Sequence, residues 1–423
     1  MTHAETLPAF ADPATLAYPH AFLADLRTSE PVARVTDPLG QEVYLVTSMA
    51  LVEEATKRTA DFSSRFAHLL STPNLANHEA MAYLMQAPEA SGLLLTNDDP
   101  DHKRHRALVN AAFAHGRVAH MEPIIEKLVT DLIDNFIARG ECDFVNEFAV
   151  LLPTFLIADI LGFDRKDFQR LREWSDCIIR TVSRAGTNEA QVEDARGIAE
   201  FVEFMRQLVR SRRAEPRDDL ISNLITERLD GVEPLTDEEA TRLSIEIGVA
   251  GNETTRNTLM SGIVQLIRHP DQLQALIDDD SLIANAVEEL LRYETPATSM
   301  WRVATHDTEL GGFAIPENAA LLLRYDAANR DPARFPEPDQ FDIRRKNARV
   351  HVAFGAPGVH RCLGQMLARK ELAVAIPQLL RRLRNLRVAE GSDTEYWPGL
   401  LHRGVTSVHL AFDPASPIGG GKN

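Results

Sequence analysis

The chain has 423 residues, 44% of them hydrophobic and 25% charged, with 22 glycines and 23 prolines, an ordinary globular composition that excludes wholesale disorder. Its 45 basic and 62 acidic residues leave a net charge of -17, which excludes the basic footprint of a general nucleic-acid binder. The three cysteines, Cys142, Cys177 and Cys362, are too few for a secreted disulfide scaffold and lack metal-ligand spacing, so a cytoplasmic, reducing location is expected. The first 15 to 20 residues are polar and proline-containing and read as irregular, without a basic n-region or an apolar h-region. No apolar run is long enough to span a bilayer, so no membrane anchor is expected. Residues 41–49, QEVYLVTSM, predict a strand, and helix follows from Ser48. Residues 64–96 read as a long irregular segment with one short helix.

Helical periodicity covers 101–137, with a break near Gly116, and MEPIIEKLVTDLIDNFIARG runs to a stop at Gly140. It continues through 145–160, 167–186 and 189–213. Residues 216–227 begin with acids in the first turn, where the helix dipole favours them. The longest pattern is 236–270, with Thr236 and Glu239 spaced as a capping box and Pro270 as its stop. Two more helices fill 271–293. Short strand-like runs separated by Gly-Gly and Pro-Glu-Asn turns follow, then helix from Cys362 to about 383, and an alternating run at 405–412. The pattern predicts one large domain, mainly α with a minor β component.

Three stretches carry chemistry. Cys362 sits in HVAFGAPGVHRCLG, after Gly355 and Gly358 and just before a helix, whose amino-terminal N–H groups and dipole favour a thiolate. The residues alone leave a nucleophile, a redox thiol, a haem ligand and a buried small hydrophobe all open. In AGNETT, residues 250–255, Gly251 and Asn252 are poor interior helix residues. Glu253 and two threonines bring polar groups into an otherwise apolar helix, which suits a proton relay or a structural kink. Glu289 and Arg292 of EELLR lie three apart on one helix face, a spacing that alone marks only a salt bridge.

In this order and at these separations, the motifs resemble those of the bacterial soluble cytochrome P450 family, the haem-thiolate monooxygenases, from about residue 15 to 412. The resemblance implies a single cytochrome P450-like catalytic domain over 1–423, with haem b buried between a long distal helix and a proximal cysteine loop. Phe354, Gly355, Gly358, His360, Cys362 and Gly364 match the family's cysteine loop, which makes Cys362 the expected iron ligand. Ala250, Gly251, Glu253 and Thr254 match the distal-helix motif. Thr254 and Glu253 are then the expected catalytic pair, hydrogen-bonding the activated oxygen and delivering protons, and Gly251 keeps space open over the iron. His102, Arg106, Arg302 and His360 are expected on the haem propionates, with Phe354 packing beside the cysteine. Glu289 and Arg292 match the ExxR pair, and Arg344, or failing that Arg345, is the arginine expected to lock it.

By family position the substrate pocket draws on Met85, Leu94, Leu95, Glu246, Val249, Ala250, Met300 and Leu401. This mostly apolar set suits a terpenoid, steroid-like or aromatic molecule. Glu246 is either a contact for a polar substrate group or an acid that is solvated or structurally paired. The resemblance implies electrons from NAD(P)H through a ferredoxin reductase and a ferredoxin, with O2 as co-substrate and the chain a monomer. Lys103, Arg104, Arg361, Arg369 and Lys370 are candidates for a basic docking patch. Dealkylation, ring coupling or peroxide-driven oxidation on the same fold is the alternative, with a non-catalytic haem protein behind it. One departure stands out: Phe354 lies eight residues before Cys362, where the family usually has seven. The additional residue falls at Ala356–Pro357.

Overall fold

The computed structural model describes Phe10 and residues 12–38, 40–70, 77–87, 93–114, 121–182, 187–392 and 394–418. The expected break near Gly116 lies outside them. The fold resolves into two compact units. One comprises Met1–Ser63, Pro123–Leu151 and Thr254–Asn423, the other Ser64–Glu122 and Leu152–Glu253.

The first unit holds the strands found among the described residues. In chain order they are β1 Val32–Thr36, β2 Glu42–Val46, β3 Phe62–Ser63, β4 Glu141–Asp143, β5 Ser299–Ala304, β6 Thr308–Leu310, β7 Phe313–Ile315, β8 Ala320–Arg324, β9 Arg387–Val388 and β10 His409–Ala411. The main sheet has the order β1-β2-β8-β5-β3. Its β2–β8 pair is parallel, with Tyr44 opposite Leu321 and Val46 opposite Leu323, and its other pairs are antiparallel. Central β8 is apolar along Leu321–Leu322–Leu323, all fully buried, as a strand covered on both faces requires.

Ser48 follows β2 and caps the Met49–Lys57 helix by accepting the Leu51 N–H, the strand-to-helix change read in the sequence. That helix lays Val52 and Ala55 on the sheet core beside Phe62, Phe335, Leu321 and Leu323. Each buried phenylalanine contributes about 2–3 kcal/mol there. Val352 and Ala356 belong to the same core. Two anchors bracketing Phe354 therefore set the base of the cysteine loop. Elsewhere in this unit the Leu400 carbonyl accepts from Thr298 Oγ1 at 3.1 Å, Ser299 Oγ at 2.8 Å and Arg324 Nη1 at 3.3 Å. Two chain segments expected to bear Met300 and Leu401 are thus tied together.

The second unit is helical. Phe168–Val182 and Asn188–Ala214 pack through Trp174 stacked on Phe201, centroids 5.0 Å apart. Arg212 forms a buried pair with Asp219 and donates to the Gly162 carbonyl at 2.7 Å. Gly162 has φ +79°, and a Cβ there would stand 2.2 Å from Asp219 Oδ2. Only glycine meets both conditions.

The long helix is Asp237–Arg268. Its capping box forms as read: the Glu239 N–H donates to Thr236 Oγ1 at 3.1 Å and the Thr236 N–H to Glu239 Oε2 at 2.9 Å. Pro270 does more than stop it. It opens the Pro270–Asp278 helix, since its fixed φ suits a first helical position and its missing N–H is not needed there. Other boundaries shift for local reasons. Asp12 accepts the Thr15 N–H and starts a helix at Pro13–Ala17, inside the stretch expected to be irregular. Among the described residues of 64–96 there are two helices, Ala67–Leu70 and His78–Leu84, where one was expected. Asp219 caps Leu220–Thr226 instead of lying in its first turn.

Candidate active site

The cysteine loop closes on itself through the Cys362 N–H, which donates to the Phe354 carbonyl at 2.9 Å. Gly355 turns the chain with φ +82°. The additional residue is taken up between these points: Ala356 is buried in the sheet core, Pro357 is exposed, and Gly358 lies against the last turn of Met49–Lys57. A Cβ at Gly358 would come within 2.7 Å of Thr56 Cγ2. Cys362 is partly exposed and lies two residues before Gly364, the N-cap of Gln365–Arg382. The other cysteines differ. Burial pushes the Cys142 thiol up to about 12 and the Cys177 thiol to about 11, the reverse of what a thiolate needs.

The ExxR pair is fully buried. Arg292 donates from Nε to Glu289 Oε2 at 2.7 Å and from Nη2 to Oε1 at 2.8 Å. Arg345, not Arg344, completes it, with Nε 3.1 Å from Glu289 Oε1 and further bonds to the Pro336, Glu337 and Gln340 carbonyls. Arg344 is exposed. Adjacent side chains in this segment point opposite ways, and the sequence offers no sign of which faces the core. Every guanidinium here is met by carboxylate or carbonyl oxygens, as a buried ion pair demands.

A second buried cluster escaped the sequence reading. Glu288 accepts from Arg369 Nε at 2.8 Å and Nη2 at 3.1 Å, and lies 3.0 Å from His351 Nε2. Burial would raise the Glu288 carboxyl, but these bonds outweigh it and hold it down at about 2. His351 Nδ1 accepts the Ala353 N–H at 3.0 Å, so the ring is neutral and donates from Nε2. Burial lowers its pKa accordingly. The doubled acid of EELLR was the available signal.

Arg302 is 3% exposed on β5, its Nη1 donating to the Trp301 carbonyl at 2.6 Å. His360 is partly buried beside Cys362. In the other unit, His102 is buried in the first turn of Asp101–Ala114, with burial lowering its pKa. Arg106, one turn on, donates to Asn110 Oδ1 at 3.1 Å.

The long helix runs unbroken through the Ala250–Thr255 stretch. Glu253 is buried and Thr254 partly so, and Thr258 Oγ1 bonds back to the Thr254 carbonyl at 2.8 Å. Gly251 is partly buried on this helix. A Cβ there would meet Ile157 Cδ1 at 3.2 Å, so the helix packs closely at this point. Val249 is partly exposed and Ala250 exposed, while Leu94 and Leu401 are buried and Leu95 partly so. Met300 packs onto the sheet core. Met85 is 78% exposed. Glu246 spends its carboxylate on the backbone N–H groups of Leu93, Leu94 and Leu95, which makes it the paired acid of the two readings. Two residues of the basic patch are likewise engaged: Arg104 is bidentate on Glu239 and Arg369 is held by Glu288.

These residues fit a haem. A partly exposed thiol at a helix amino terminus suits a soft metal ligand. A buried guanidinium on β5 and a buried histidine suit carboxylate partners in a poorly solvated place. No group of three or more His, Cys, Asp or Glu among the described residues could hold a bare metal ion.

The sequence profile of the cytochrome P450 family matches residues 19–396. The steroid C26-monooxygenase of Mycobacterium tuberculosis (strain CDC 1551 / Oshkosh) is 40% identical over 328 residues, 77% of this chain and 87% of that protein. The 6-deoxyerythronolide B hydroxylase of Saccharopolyspora erythraea is 35% identical over 396 residues, 92% of this chain and 95% of its own. The crystal structure of the myxobacterial cytochrome P450 CYP267B1 in complex with myristic acid superposes with a TM-score of 0.85 at 33% identity, covering 96% of this chain and 100% of that one. The chain belongs to the cytochrome P450 family: it is a haem b-dependent, haem-thiolate monooxygenase.

Proposed function

We propose that the substrate is a small hydrophobic molecule, steroid-like or terpenoid, hydroxylated at an unactivated C–H bond. The observation that carries this is the apolar character of the candidate lining. Leu94, Leu95, Val249, Ala250 and Leu401 offer no charge, and the one acid among them is bound to backbone. The likeness to a steroid C26-monooxygenase supports it. When bound, the haem supplies reductive activation of O2, so that the substrate, O2, two electrons and two protons become an alcohol and water. Cys362 would give its thiolate to the iron, and Arg302, His360, His102 and Arg106 would be the partners of the propionates. Glu253 would bring protons to the bound group and Thr254 would hold one at Oγ1. Electrons come from NAD(P)H through a ferredoxin reductase and a ferredoxin, in the cytoplasm, and the chain acts as a monomer. Among the described residues no helix is long and apolar enough to cross a membrane.

A spectral titration of the purified holoenzyme against steroids, terpenes, aromatics and fatty acids tests the substrate class. A low-to-high-spin shift with steroids or terpenes, followed by a product heavier by one oxygen, is the expected result. A response confined to fatty acids would replace this reading with the one suggested by the myristate complex.

A further inference from the structure

Glu246 stands seven residues before Glu253 on the long helix, two turns along, and so on nearly the same face about 10 Å away. Its carboxylate accepts three consecutive backbone donors: Leu93 N–H to Oε2 at 2.7 Å, Leu94 N–H to Oε2 at 2.9 Å and Leu95 N–H to Oε1 at 2.7 Å. Three successive N–H groups converging on one anion form a nest, filled here by a side chain from more than 150 residues away. The same stretch is held further along. Asp98 Oδ1 accepts the Ser64 N–H at 2.8 Å, and the Asp98 carbonyl takes the His102 N–H at 2.9 Å. Glu239, a further two turns towards the start of the helix, grips Arg104 at 2.6 Å and lies 3.0 Å from His105. Burial raises the Glu246 carboxyl while the three N–H groups oppose the rise.

We propose that Glu246 is a positioning residue that sets how Leu94 and Leu95 present themselves to the substrate. This rests on the reading of those two leucines as pocket wall. The chemistry is specific to a carboxylate: it has two acceptor oxygens for three donors. The amide of Gln has one oxygen, and its NH2 would face a backbone donor. Asp falls one methylene short. The bond set ties the wall to the helix that bears Glu253 and Thr254, so it fixes the substrate edge relative to the proton-delivering residues. It also removes Glu246 from direct recognition of a substrate cation.

The test uses the holoenzyme with Glu246→Gln and Glu246→Leu. Amide hydrogen exchange at Leu93, Leu94 and Leu95 should rise roughly tenfold or more in both variants, as expected for losing a charge-assisted bond. Exchange in 105–112 should stay as in the parent, and the ferrous–CO band should remain near 450 nm. Binding of 4-phenylimidazole, which reports on the pocket whatever the natural substrate, should weaken roughly tenfold. Unchanged exchange at the three amides would overturn the latch. Faster exchange with unaltered azole affinity would overturn its role at the pocket. Neither outcome depends on the steroid-like assignment, which the substrate titration decides separately.

Discussion

Arg369 holds its guanidinium 4.5 Å from the centroid of the Phe354 ring, and Glu288 keeps it there through two hydrogen bonds. The cysteine loop therefore leans on a buried acid of the ExxR helix. The Glu288 pKa is depressed to about 2. Its stabilisation is fully present above the usual glutamate value and is lost as the pH falls towards about 2. Glu288→Gln is expected to flatten the acid-unfolding curve of the holoenzyme in that window and to increase the 420 nm fraction of the ferrous–CO spectrum at neutral pH. An acid-unfolding curve identical to the parent's would show that the clamp contributes nothing.

Arg345 and Arg344 separate cleanly. Arg345→Ala leaves Glu289 short of a partner inside the core, and breaking a buried pair costs about 3–5 kcal/mol. The variant should unfold at much lower urea concentration and retain little haem. Arg344→Ala, at an exposed position, should stay within about 0.5 kcal/mol of the parent. Chemical denaturation monitored by the Soret band measures both, and equal effects would contradict the assignment.

Cys362→Ser is expected to abolish the 450 nm ferrous–CO band, since a hydroxyl does not replace a thiolate on iron. Cys142→Ser and Cys177→Ser should keep it. A persistent 450 nm band in the Cys362 variant would remove that residue as the ligand.

Thr254→Ala and Glu253→Gln should each lower coupled product formation by roughly a hundredfold, the usual scale for a lost proton-transfer group. NAD(P)H consumption should fall much less, with peroxide released instead of product. The ratio of product to NAD(P)H consumed is the measurement; an unchanged ratio would assign the protons another route.

Local spacing was legible wherever one helix or one loop carries the relationship. Glu289 with Arg292, Thr236 with Glu239, and the glycines ahead of Cys362 are set by chain geometry, because residues three or four apart on a helix must share a face. Long-range partners were not legible. Periodicity places Glu239, Glu246 and Glu253 on one stripe, but it does not say that the first meets Arg104 and the second a run of backbone N–H groups. Gly251 shows the same limit: its small size was evident, and the neighbour it makes room for was not.

The sequence by itself determined the family and the cofactor, because the motifs that carry the resemblance are side chains at fixed local spacing. Only the tertiary structure decided that Arg345 rather than Arg344 closes the ExxR pair, that Glu288 clamps Arg369 over Phe354, and that Glu246 serves the backbone. Each of these depends on which surfaces packing brings together across more than 50 residues of chain. A buried charge must find its partners in space, wherever along the chain they lie.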